Sequence, residues 1–249
     1  MSLSGKVAVV TGGGTGLGRE ISRRFAERGA NVAIVYSRSR DDAEKTAREL
    51  ARDGVAVTTH RIDVADEAGV ARGFDEIVAQ HGGIDYLVNN AGTTVHARFA
   101  DLDALTGEAW DQILGVNVKG AFFCARAAAR SMKQRGGGAI TNVTSTAGLR
   151  PQGSSLAYSV SKAAMTHLTR GLAVALGPEV RVNTVAPGGM YTRWWSSRQT
   201  PEQFAAGVGN RPLGRYAHLE DIALAAIQLI ENPSATGQIL VMDGGQIMP

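Results

Sequence analysis

Short, unbroken apolar runs alternate along this chain with longer stretches in which apolar residues return every three or four positions. The run KVAVV at 6–10 is stopped by glycines, the pattern of a strand covered on both faces. Residues 16–28 then set Leu17, Ile21 and Phe25 on one helical stripe, ending at Gly29. NVAIVY at 31–36 predicts a second strand. A helix opens at Asp41, with Glu44 three residues later resembling a capping box, and closes at Gly54. Residues 55–63 predict a third strand, and 66–80 a helix carrying Val70, Phe74 and Ile77. Further strands are expected at 85–90, 139–144, 180–185 and 238–243, with long helices at 107–135 and 156–176 between three of them.

This alternation implies parallel strands joined by right-handed crossovers, with helices on both faces. The expected fold is α/β: a Rossmann-like, doubly wound parallel sheet of about seven strands. No repeat or linker divides the chain, so residues 1–249 are expected to form a single domain. The stretch 188–213 is irregular and rich in Arg, Trp and Gly, and is expected to be a substrate lid.

Composition narrows the function. The 249 residues are 44% hydrophobic and 20% charged, enough for a substantial core. The net charge of +3 comes from scattered Lys and Arg with no basic stripe, which argues against nucleic acid as a partner. The one cysteine, Cys124 within GAFFCARAAA, reads as a packed core thiol in a reducing compartment. No charged leader precedes a long apolar core at the amino terminus, and no apolar run approaches membrane-spanning length. A cytoplasmic protein with no membrane partner is expected. No metal site is expected.

The glycine loop TGGGTGLG at 11–18 follows the first strand and opens the first helix. Glycines at 12, 16 and 18, with Thr15 and Leu17 between them, permit a tight turn. They also allow close backbone approach to a pyrophosphate at a helix amino terminus. The second strand ends in Tyr36, Ser37 and Arg38, with no acid before Asp41. An acid there would hydrogen-bond the ribose hydroxyls of NAD. A guanidinium beside a hydroxyl instead suits a 2′-phosphate, so NADP (as NADPH) is expected over NAD. Ser37 and Arg38 are the recognition pair, and Arg40 is an alternative to Arg38.

The segment YSVSK at 158–162 puts a phenol and an ammonium four residues apart, on one face of a helix. In order along the chain stand TGGGTGLG, Asp63-Val64, NNAG (89–92), Asn117, Ser145, Tyr158 with Lys162, and NTVAPG (183–188). With these motifs the sequence resembles the short-chain dehydrogenase/reductase family over essentially its full length. The resemblance implies that Asn117, Ser145, Tyr158 and Lys162 form a catalytic tetrad. Tyr158 would exchange a proton with the substrate oxygen, and the Lys162 ammonium would lower the phenol pKa and hold the nicotinamide ribose. Ser145 would steady the developing oxyanion, and Asn117 would sustain a water relay towards Lys162. It further implies that Asp63 meets the adenine amino group beside the Val64 backbone, and that Asn90, Ala91 and Gly92 line the adenosine ribose. Pro187 and Gly188 would bound the cofactor, and Thr192 would reach its carboxamide or pyrophosphate. A homotetramer, or a homodimer, is implied as well. Independently, six predicted strand ends bring these positions to one edge of the sheet, where such folds bind ligands.

The substrate is expected among the loops after the fourth, fifth and sixth strands. Thr94 and His96, then Gln152, then Met190, Trp194 and Trp195 are the candidates, with the tryptophans suggesting a small apolar or aromatic substrate. A carbonyl reductase acting on such a molecule is the first reading. A reductase of 3-oxoacyl thioesters on a carrier protein is the second. Members of that group commonly place Arg-Gly where this chain has Gly177-Pro178-Glu179, and the acid there suits an acidic carrier less well. An NAD-dependent alcohol dehydrogenase and an NADP-binding regulator without turnover are the remaining alternatives.

Overall fold

The computed structural model describes residues 2–52, 54–196, 198–207 and 211–248. Seven strands make one sheet: β1 (Val7–Thr11), β2 (Asn31–Tyr36), β3 (Val57–Arg61), β4 (Tyr86–Asn89), β5 (Gly138–Val143), β6 (Val180–Pro187) and β7 (Ile239–Met242). Their order is β3-β2-β1-β4-β5-β6-β7, and every neighbouring pair is parallel. The chain winds outward from β1 to β3, returns to β4, and winds outward again to β7. The direction therefore reverses between β1 and β4, opening a crevice at their carboxyl ends. This is the expected doubly wound fold.

The strands carry side chains to two cores. Ala8, Val10, Val32 and Ile34 face α1 (Gly16–Glu27) and a late helix, residues 219–231. Val9, Ala33, Leu87 and Ile140 face α3 (Glu67–His81) and the helix at 121–134. Because both faces are covered, β1 is buried throughout, which is why its sequence is unbroken apolar rather than alternating. Cys124 is fully buried in the second core, and burial pushes its thiol up, as suits an inert packing residue.

Several elements depart from the sequence reading. The helix α2 runs Arg40–Leu50, ending short of Gly54, and its N-cap Ser39 makes no side-chain cap bond. Glu44 closes no capping box, because it is drawn to Arg40 at 2.6 Å. The long helix expected over 107–135 divides into α4 (Gly107–Leu114), a π turn (Gly115–Gly120) and α5 (Ala121–Gln134). After α6 (Leu156–Leu176), the irregular stretch contains α7 (Arg193–Ser196) and α8 (Pro201–Ala206), the latter opened by a Thr200–Gln203 capping box. Positions 197 and 208–210 of the expected lid lie outside the described residues. The helix α9 (Leu219–Glu231) was not anticipated; its run IALAAIQLI is apolar on too many faces to give a clean period. Among the described residues no helix is long and apolar enough to cross a membrane.

At the β3 edge, the Thr58 hydroxyl lies 2.8 Å from Nε2 of both His60 and His81. Burial lowers the pKa of each ring, and for His60 the neighbouring His81 lowers it further while Glu76 opposes. The folded state therefore binds fewer protons than the unfolded chain just below the ordinary histidine pKa of about 6.5. Stability from this cluster is complete above that value and is lost as pH falls. Thermal melts from pH 7.5 to 5 should show a drop in Tm that the double variant His60→Gln, His81→Gln reduces by roughly 2–5 °C. An unchanged slope in the variant would remove the cluster as its source.

Candidate active site

The glycine loop joins β1 to α1 in a space that excludes side chains. A Cβ on Gly18 would lie 2.1 Å from the Gly12 carbonyl oxygen, and Gly12 itself has φ +65°. Gly18 thus serves by letting the helix start directly against the strand end. The N-cap Thr15 makes no side-chain bond and α1 has no acid in its first turn, so its leading amides remain available to an anion. Gly12, Thr15, Gly16 and Leu17 line a cavity of about 600 Å³ that follows the carboxyl edge of the sheet.

At the end of β2, Ser37 and Arg38 line that cavity, and both are exposed. Arg40 is occupied by Glu44, whereas Arg38 has no ion-pair partner among the described residues. The geometry prefers Arg38. After β3, Asp63 and Val64 line the next part of the wall. One Asp63 oxygen accepts from the Ala65 amide at 3.0 Å, so Asp63 shapes its own turn as well. After β4, Asn90, Ala91 and Gly92 continue the cavity, but the Asn90 side chain points its amide at the Thr11 and Gly12 carbonyls, 3.0 and 3.3 Å away. Its work is to brace the glycine loop.

Beneath the far end of this cavity lies Lys162, only 3% exposed, donating to the Val143 carbonyl at 2.9 Å. Its Nζ is 5.7 Å from the Tyr158 ring centre. Both come from α6, whose start is fixed by Ser155 accepting from the Tyr158 amide. Asn117 sits in the π turn and is fully buried. Its Oδ1 accepts from the Thr93 amide at 2.8 Å, and its Nδ2 donates to the Thr93 carbonyl at 3.0 Å and Ser161 Oγ at 2.9 Å. That side chain is engaged in holding Thr93 and Ser161. A Cβ on Gly92 would stand 3.5 Å from Asn117 Oδ1 and 3.8 Å from Lys162 Nζ, which brings three of the motifs around one point.

The electrostatics correct one expectation. Burial pushes the Tyr158 phenol up to about 12, with Ser145 hydrogen bonding opposing the shift. Burial also brings the Lys162 ammonium down to about 8. Desolvation penalises the charged form of each group, and here it outweighs the attraction that was expected to acidify the phenol. At neutral pH the structure holds a protonated phenol.

A second cavity, of about 350 Å³, opens from the first, and Thr144, Tyr158, Met190, Thr192 and Trp194 line both. Ser145, His96, Gln152 and Trp195 line the second. Pro187 and Gly188 also face this smaller cavity, not the larger one where the cofactor was expected. Thr94 lines neither cavity, because its hydroxyl is taken by Ser154 Oγ at 2.6 Å. Sequence reading missed Phe204, Arg211 and Gln246, which reach this cavity from distant segments. Trp194 meets the Tyr158 ring edge-on at 6.1 Å, while Trp195 packs on His96 and Phe204.

The glycine cradle, the uncovered helix start and the elongated cavity fit a dinucleotide, and the phenol at its far end fits a proton donor beside it. The family described as short chain dehydrogenase matches residues 6–203, and this chain belongs to it. A candidate ketoacyl reductase of the granaticin polyketide synthase from Streptomyces violaceoruber is 42% identical over 240 residues, covering 96% of this chain and 95% of the relative. D-threitol dehydrogenase of Mycolicibacterium smegmatis is 36% identical, over 98% of this chain and 93% of the relative. Among solved structures, a short chain dehydrogenase from Burkholderia cenocepacia in complex with NADP superposes with a TM-score of 0.90 at 33% identity, covering 98% of this chain and 99% of the other. The chain is thus an oxidoreductase of the carbonyl/alcohol type.

The Asn117 clamp gives a stability test. Asn117→Asp exchanges the donor facing Thr93 O and Ser161 Oγ for an acceptor in a buried site. Urea unfolding should register a loss of about 2–4 kcal/mol. A change below about 0.5 kcal/mol would mean the clamp holds nothing.

Proposed function

We propose that this chain is an NADP(H)-dependent reductase that transfers hydride between the nicotinamide and a carbonyl or secondary alcohol of a small, apolar or aromatic substrate. The observation that carries the reading is Tyr158, which lines both cavities with buried Lys162 on the same helix face. The nicotinamide, when bound, supplies the hydride. Tyr158 gives its proton to the substrate oxygen as charge develops there, and its raised pKa keeps that proton available at neutral pH. Ser145, at the head of the smaller cavity, donates a hydrogen bond to the same oxygen. Lys162 holds the ribose and supplies the positive charge that stabilises the phenolate left behind. Asn117 is a positioning residue, fixing Thr93 and the Ser161 neighbour of Lys162.

NADP is preferred because Ser37 and Arg38, which has no ion pair among the described residues, line the cavity at the β2 end, where no acid stands before Asp41. The Burkholderia cenocepacia relative solved with NADP supports this. So does an NADPH-dependent 3-quinuclidinone reductase from Rhodotorula rubra, TM-score 0.88 at 30% identity, covering 98% of this chain and 92% of the other. Trp194 and the segment around it would form the lid of a single catalytic domain. We further assign the protein to the cytoplasm as a homotetramer, from its one buried thiol and from the exposed Phe122, Val160 and Val174 on α5 and α6.

A second reading, reduction of 3-oxoacyl thioesters, is favoured by the Streptomyces relative. It is also favoured by a 3-ketoacyl-(acyl-carrier-protein) reductase from Brucella melitensis complexed with NADH, TM-score 0.89 at 33% identity, covering 99% of this chain and all of the other. Against it stands Glu179, exposed and paired with Lys133 at 3.5 Å, where it offsets positive charge that an acidic carrier would use.

Two measurements test the proposal. Following NADPH absorbance with a panel of ketones, Tyr158→Phe should lower kcat by roughly 10²–10⁴-fold while cofactor binding changes less than about threefold; retained turnover would refute the proton-donor role. Arg38→Ala should raise the KM for NADPH by roughly 10–100-fold, the loss of a charge-assisted hydrogen bond, and leave the KM for NADH nearly unchanged. A wild-type preference for NADH would remove the assignment.

A further inference from the structure

The smaller cavity has chemically distinct ends. Tyr158 and Ser145 stand at the reacting end, and Met190, Trp194, Trp195 and Phe204 supply apolar wall. Arg211 and Gln246 also line it, and neither has a part in the chemistry derived above. Arg211 is the one arginine or lysine among the described lining residues, and burial pushes the other titratable base there, His96, towards its neutral form. The guanidinium lies across Gly188 and Gly189: a Cβ on either would stand 3.4 Å from one of its terminal nitrogens.

Among the described residues, the partners of Arg211 leave most of its donors free. It makes one long bond, to the Asp243 main-chain oxygen at 3.3 Å, and no ion pair among the described residues. The Asp243 carboxylate is nearby but engaged, accepting from the Gly245 amide at 2.8 Å and the Ile247 amide at 2.7 Å. Beside this runs a chain of side-chain bonds, Gln246 Nε2 to Gln152 Oε1 at 3.2 Å and Gln152 Nε2 to Thr146 Oγ1 at 3.1 Å. Gln246 Oε1 is buried and has no partner among the described residues. A part-buried cation with unused donors beside an amide with unused capacity is a polar site built into an apolar pocket.

We propose that Arg211, supported by Gln246 and Gln152, binds a carboxylate on the substrate, so that the preferred substrate is an oxo acid whose carbonyl and carboxylate are separated by an apolar spacer. This rests on the reductase reading of the same cavity. A carboxylate suits the site because two parallel N–H donors of one guanidinium match its two oxygens, and one cation balances one negative charge. A phosphate monoester would bring about two charges to a pocket with a single cation. The spacer lies against the tryptophans, and binding energy at the carboxylate end orients the carbonyl towards Tyr158.

The test uses the wild-type holoprotein first. With NADPH, kcat/KM is compared for 4-oxocyclohexanecarboxylate and 5-oxohexanoate against their methyl esters. The acids should be preferred by at least about tenfold, and Arg211→Gln should collapse the acid-to-ester ratio by roughly 10–100-fold through KM, with Arg211→Lys restoring part of it. In parallel, quenching of tryptophan fluorescence in the cofactor-loaded protein is titrated with cyclohexanecarboxylate, which cannot be reduced, and with its methyl ester. Ketone turnover without preference for the acids overturns the proposal while leaving the reductase reading intact. Arg211-dependent binding of cyclohexanecarboxylate without any ketone turnover sustains the carboxylate site and defeats the reductase reading. Equal binding of acid and ester overturns the site directly, whether or not the variants fold.

Discussion

The architecture of the site turns on placing one ammonium where almost no water reaches it. Lys162 is 3% exposed and has no carboxylate partner among the described residues; it donates to the Val143 carbonyl, with Met165 Sδ at 4.0 Å. Such a group costs several kcal/mol to bury as an ion, and the drop in its pKa records that cost. The surrounding chain is shaped to hold it regardless. The residues after β5 press so closely on α6 that a Cβ on Gly148 would lie 2.5 Å from the Lys162 backbone, and Ser159 Oγ donates to the Ala147 carbonyl at 2.7 Å. At neutral pH the bare protein therefore holds Tyr158 as the neutral phenol, while Lys162 keeps its proton against the cost of burial.

The rigidity that this requires comes from buried polar side chains rather than from apolar packing alone. Asn89 donates to Asn142 Oδ1 at 2.9 Å and to the Ala121 carbonyl at 3.1 Å, the first residue after the π turn. Asn142 donates onward to Thr169 of α6 at 2.9 Å, and Thr184 of β6 accepts no slack, donating to the Asn142 carbonyl at 2.8 Å. Three strands and two helices are thereby held in one register beneath the site. Buried hydrogen bonds are directional where apolar contacts are not, so the network fixes geometry more than it adds stability. The two asparagines of NNAG divide the labour: Asn89 fixes the sheet to α5, and Asn90 fixes the glycine loop to β4.

How much of this was legible in the sequence follows from how local each signal is. Strands buried on both faces announce themselves as apolar runs, and the cradle at Gly12–Gly18 is readable because close approach leaves glycine no substitute. Tyr158 and Lys162 were readable because four residues on a helix is one spacing. What escaped depends on tertiary choices. The π turn around Asn117 has no sequence mark, since GVNVKG continues the helical pattern around it. The cap of α2 failed because Arg40 competes for Glu44, a contest that spacing alone does not decide. The sign of the phenol shift was misjudged because a neighbouring charge is visible in the sequence and burial is not. Arg211 and Gln246 lie outside every motif and join Gln152 around one cavity only through the fold.

The described part of the stretch 188–213 is fastened unequally to the rest of the chain. Arg193 reaches Asp42 of α2 at 3.0 Å, but that pair is half exposed at both ends and contributes little. Towards the smaller cavity, ring contacts run from His96 to Trp195 to Phe204 to Tyr216, with Phe204 buried and Tyr191 tilted against it. Each such contact contributes about 0.5–1.5 kcal/mol beyond the area it buries, so the aromatic side is the anchored one. Trp194 is 41% exposed and touches Tyr158 from the free side. The wall formed by Trp195 and Phe204 is thus better anchored than the Arg193–Trp194 end beside Tyr158.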